Sequence, residues 1–143
     1  MSFIHRRAFA ALSVIFALFV VATLGPDAAR AASDQMTAKY KFELVGSPQK
    51  AAGGKSIVRV KLVRLSDGKP VPKAVIFETR ADMGPDGMAT MTAPVKVLPE
   101  SEPGIYPIEI EPGMAGGWAL ALAAKIQGET GTVRGTLTFK LEK

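Results

Sequence analysis

Met83, Met88 and Met91 fall in one short segment rich in Gly, Pro, Asp and Thr, and Met114 stands four residues before the only tryptophan, Trp118. Thioether sulfur is a soft, neutral donor. It needs no deprotonation, and it selects Cu(I), and by the same softness Ag(I), over hard divalent ions. It also resists the disulfide chemistry of an oxidising compartment. Trp118 could lie over such a cation or shield it from water. The same residues admit a plainer role. Methionine fills gaps in cores, and Met83 shares the alternation of Phe77 and Thr79, which would turn it inward. Trp118 could simply anchor the core. What favours a site is the setting of Met88 and Met91 among turn residues, where a core role is less expected.

Other chemistries find little support. The single histidine, His5, lies in the N-terminal segment, and there is no cysteine. The usual nucleophile–histidine triads, thiol catalysis and a good zinc site therefore lack their residues. Asp82 and Asp86 match no calcium-loop spacing. The remaining acids sit on alternating strand faces or in turns, where solvated surface is the default. The sequence reads as a non-enzyme.

The first residues have the layout of an export signal. His5, Arg6 and Arg7 make a positive start, and Ala8 to Leu24 carries no charge. Gly25-Pro26 breaks that run, and Ala29-Arg30-Ala31 is a small-residue cleavage pattern. Residues 1–31 thus read as a signal peptide, leaving 32–143 as one domain in the periplasm. The other reading is an uncleaved inner-membrane anchor, for which the run is short. The chain's net charge of +5 falls once Arg6, Arg7, Arg30 and Asp27 are removed. The basic residues left are spread along strands and do not form a nucleic-acid patch. A domain of this length can bury a sufficient core without staples.

The remaining chain must supply the elements that hold the methionines. Tyr40–Val45, Ser56–Leu65, Ala74–Thr79, Val95–Leu98, Ile105–Glu111, Trp118–Ile126 and Thr132–Leu141 alternate apolar with polar or small residues. Gly, Pro and Asp separate them. Val75 and Phe77 are expected to face inward, and Ser33–Lys39 to be a loose leader. Trp118–Lys125 could pass for a helix on propensity, but its period of two and flanking glycines favour a strand. The pattern predicts an all-β, immunoglobulin-like sandwich of about seven strands.

Three stretches carry a resemblance: Phe77-Glu-Thr-Arg-Ala-Asp-Met-Gly-Pro-Asp-Gly-Met-Ala-Thr-Met-Thr-Ala-Pro94, Glu102-Pro-Gly-Ile-Tyr106 and Met114-Ala-Gly-Gly-Trp-Ala-Leu120. Together with Ala124–Val133, they resemble the YtkA-like/FixH-like family of small exported β-sandwich domains. The likeness is to the variant associated with heavy-metal efflux systems. The resemblance implies a periplasmic accessory of copper or silver handling whose partner is the adaptor subunit of an efflux pump. It maps the family's methionine positions to Met83, Met88, Met91 and Met114, and its tryptophan to Trp118. The histidine that many such domains carry near the first methionines has no counterpart here. A methionine-only site would favour Cu(I) or Ag(I) over Cu(II). The alternative is a non-metal interaction module that docks through its methionines onto an efflux adaptor or an oxidase-assembly partner.

Overall fold

The structure is a computed structural model that describes residues 26–142. Helix α1 (Pro26–Lys39) is followed by β1 (Tyr40–Leu44), β2 (Gln49–Lys50), β3 (Ser56–Arg64), β4 (Val75–Met83), β5 (Met88–Ala93), β6 (Val95–Val97), β7 (Ile105–Ile110), β8 (Gly116–Lys125) and β9 (Val133–Leu141). All pairings are antiparallel. One sheet has the order β1–β3–β7–β6, with β2 also pairing β3; the other has the order β5–β4–β8–β9. With the two-residue β2 set aside, the first, second, sixth and fifth remaining strands build one sheet, and the other four build its partner. That is the arrangement of an immunoglobulin-type sandwich.

Alternation sets the core. Val58, Val60 and Leu62 of β3 are buried, while Arg59 and Lys61 are not. Tyr106, Ile108 and Ile110 of β7 lie beside them on the same face of the sheet, and Glu109 turns outward to pair with Lys55 at 2.8 Å. Trp118, Leu120, Leu122 and Ala124 of β8 close the core from the other sheet. The run Trp118–Lys125 is a strand, as its period predicts.

Tyr106 locks the connection between the sheets. Its hydroxyl donates to the Val71 carbonyl and accepts from the Ala74 N–H, both at 2.8 Å. Two residues of the β3–β4 crossover are thereby fixed to β7, the neighbour of β3 in its own sheet, before the chain crosses to β4. Burial pushes the Tyr106 pKa above the ordinary tyrosine range.

The expected all-β sandwich forms, and its details differ from expectation in three places. Nine strands form among the described residues where about seven were expected: β2 and β5 are additional, and β5 is built from the methionine segment itself. Ser33–Lys39 is not a loose leader but the end of α1, whose Met36 is buried in the core. Pro26 at the helix start and the alanines after it suit a helix. The helix packs against β9 and β1, where the two sheets come together. The segment read as a signal peptide lies outside the described residues up to residue 25, and its Ala29-Arg30-Ala31 pattern falls within α1. Among the described residues no helix is long and apolar enough to cross a membrane.

The third correction concerns Val75 and Phe77, which face outward; Phe77 is 53% exposed. Ile76 pairs with Ala124 and Glu78 with Ala123, so Phe77 is an extra residue with no partner on β8. Such a bulge inverts the alternation. Ile76 packs inward before it, and Ala81 and Met83 are buried after it.

Tyr106→Phe leaves the Val71 carbonyl and the Ala74 N–H without their partner, and should cost roughly 1–3 kcal/mol in urea unfolding. The folded state holds the Tyr106 proton more tightly than the unfolded state. This contribution is fully present below about pH 10 and is lost as pH rises through the folded pKa. Wild-type stability should therefore fall on the alkaline side, and Tyr106→Phe should flatten that fall.

Candidate metal centre

The first methionine loop is the turn from β4 to β5. Asp82 starts it: its Oδ1 accepts from the Gly84 N–H at 2.9 Å and its Oδ2 accepts from Arg80 Nε at 3.0 Å. The Arg80 guanidinium, and then the Gly84 N–H, hold the Asp82 carboxyl below its usual range. Gly84–Asp86 is one turn of 3-10 helix. It ends at Gly87 with φ 76°, a left-handed cap that glycine adopts without strain. Asp82 pairs with Thr92 but Met83 pairs with Met88. Ala89, Thr90 and Met91 lie between those pairs as a wide bulge on β5. Arg80 spans that bulge and donates to the Ala89 carbonyl at 2.9 Å.

The second methionine loop leads into β8. The Gly117 N–H donates to Asp86 Oδ2 at 2.7 Å, which joins the two loops at one end of the sandwich. Only glycine suits the neighbouring position. Gly116 has φ 146°, and a Cβ there would stand 2.6 Å from Asp86 Oδ2 and 2.7 Å from Met83 Cε. The Met83 methyl group thus rests against the end of the second loop, where β8 begins. Trp118 is buried below it, and its Nε1–H donates to the Met114 carbonyl at 3.3 Å.

The four methionines differ in setting. Met83 is 1% exposed and belongs to the core. Met88 is half-buried and packs against that core. Met91, in the bulge, is 42% exposed, and Met114 is 37% exposed. The loops that carry them meet, with Met83 beneath and the other three toward the surface. Trp118 fixes the backbone of the Met114 loop.

The donor set suits soft cations. Among the described residues no group of three or more His, Cys, Asp or Glu side chains could hold a metal ion. Asp82 and Asp86 are both engaged by main-chain N–H groups. Neutral thioethers remain, and these fit Cu(I) or Ag(I), not a hard divalent ion. Sequence reasoning missed Arg80 and Gly116 and weighed Asp86 only as a cation ligand; all three hold the two loops in place. The signal for Asp86 and Gly116 was turn chemistry, in Gly84-Pro85-Asp86-Gly87 and the Gly116-Gly117 doublet.

Comparison with known proteins gives a family and a fold. The family model described as YtkA-like matches residues 34–123. No curated protein matches the chain. The crystal structure of a DUF4426 family protein from Pseudomonas aeruginosa PAO1 is similar, with a TM-score of 0.50 and 15% identity over 72% of this chain and 88% of that one. The GAE domain of GGA2p from Saccharomyces cerevisiae gives a TM-score of 0.39 and 15% identity over 72% and 89%. The first likeness shows the fold alone, and the second carries no argument.

Gly116→Ala should displace the Asp86 carboxylate and the Met83 methyl together. The expected cost is about 1–3 kcal/mol in urea unfolding, with shifts of the Met83 methyl and Gly117 amide NMR signals. Unchanged signals would show that the two loops are not in contact there.

Proposed function

The chain belongs to the YtkA-like family, and from that premise we propose that it is a periplasmic Cu(I)/Ag(I)-binding accessory domain of a heavy-metal efflux or copper-handling system. The observation that carries this reading is the junction of the two methionine loops through Asp86 and Gly117. Met88, Met91 and Met114 would bind the cation, with Met83 as the floor beneath them and Trp118 behind Met114. The ion is cargo. Thioethers are neutral and flexible, so they bind a soft ion without releasing a proton and can give it up to a better ligand set. The receiving partner would be the periplasmic adaptor subunit of an efflux pump, as the family resemblance implies. Residues 1–31 would direct export, and 32–143 would be the working domain. Cleavage after Ala31 would keep Met36, through which α1 enters the core.

A second reading rests on the outward Val75 and Phe77 of β4. Exposed apolar side chains and methionine methyl groups suit docking onto an adaptor or oxidase-assembly partner without any metal.

An anaerobic Ag(I) titration followed by methionine methyl NMR separates the two. The metal reading predicts saturable shifts of Met88, Met91 and Met114, with the core methionine Met36 unmoved. If every methyl signal stays in place, the metal reading is contradicted and docking takes its place.

A further inference from the structure

The methionines differ in how far solvent reaches them: Met91 and Met114 are exposed, and Met36 and Met83 are buried. We propose that Met91 and Met114 are sulfoxidation sites, modified by a two-electron oxidant of the peroxide or hypohalous-acid class, and that their oxidation switches the soft-metal site off. The inference rests on the metal reading above.

The chemistry needs only the thioether and the oxidant. With hydrogen peroxide, a sulfur lone pair attacks one peroxide oxygen, the O–O bond breaks and an S=O bond forms. Sulfur loses two electrons, the peroxide is reduced, and the second oxygen leaves as water with both protons. The oxidant must reach sulfur. Met91 and Met114 are 42% and 37% exposed, whereas Met36 and Met83 are enclosed by the core. Half-buried Met88 falls between.

The fold is arranged to survive this change at Met91 and Met114. Neither loop is held by its exposed thioether. The β5 bulge is held by Arg80 on the Ala89 carbonyl, and the second loop by Trp118 on the Met114 carbonyl and Asp86 on the Gly117 N–H. All three bonds involve main-chain atoms that oxidation leaves intact. Oxidation at Met83 would instead put a polar group in the core. At Met91 and Met114 a sulfoxide replaces a soft sulfur donor by a hard oxygen, which is the wrong partner for Cu(I) or Ag(I). Modification would thus remove metal binding and leave the domain folded.

The test treats the full chain with hydrogen peroxide, follows each methionine by peptide mass spectrometry, and measures melting and Ag(I) affinity before and after. Met91 and Met114 should oxidise at least about tenfold faster than Met36 and Met83. The melting temperature should hold, and Ag(I) affinity of the doubly oxidised protein should fall at least about tenfold. Equal oxidation rates at Met36 and Met83, or unfolding on oxidation of Met91 and Met114, would overturn the inference. If the untreated protein binds Ag(I) and the oxidised protein binds it equally well, the switch falls and the metal reading stands. If the untreated protein binds none, both fall.

Discussion

The hydrogen bond from the Gly117 N–H to the Asp86 carboxylate is the contact on which the candidate site depends. It joins two loops that lie 31 residues apart in the chain. A charged acceptor shortens and strengthens such a bond. Its geometry is possible because Gly116 and Gly117 have no side chains. A Cβ on Gly117 would stand 2.7 Å from Asp86 Oδ1, so either substitution would collide with the carboxylate. The two sheets serve this contact. β4 and β8 are adjacent and antiparallel, so the end of one lies beside the start of the other, and the loops that leave there are neighbours.

A division of labour follows among side chains that look alike in sequence. Asp82 and Asp86 are the acids of the first loop, and both are occupied in capping backbone donors. Their role is to shape the loop. Met83 fills the space beneath, while Met91 and Met114 stand at the surface. Trp118 supports the second loop from below through one hydrogen bond to its backbone. The polar groups hold the frame, and the thioethers of Met91 and Met114 are left exposed at its rim.

Much of the fold was legible because β3, β7, β8 and β9 alternate over most of their length, and that alternation marks most of their buried residues. The two bulges were not legible. Phe77 looks inward by counting, but the count breaks at the residue that β8 leaves unmatched. The excursion of Ala89, Thr90 and Met91 is stabilised by Arg80, whose bond across the hairpin to a backbone carbonyl has no sequence signature. The methionine segment therefore read as loop although most of it is strand. Helix α1 was obscured differently: the cleavage pattern in its first half drew attention from its alanine content and from Met36. The methionines themselves were visible at once. Which of them is core and which is rim depended on the turn and the bulge, and so required three dimensions.

The claim at the centre of this account is that the two loops present convergent sulfur donors to one soft cation. X-ray absorption spectroscopy of the protein loaded anaerobically with Cu(I) and then desalted tests it most directly. The account predicts retained copper with a first shell of sulfur alone and more than one sulfur per ion. Loss of copper on desalting, or a shell dominated by oxygen and nitrogen, would contradict it.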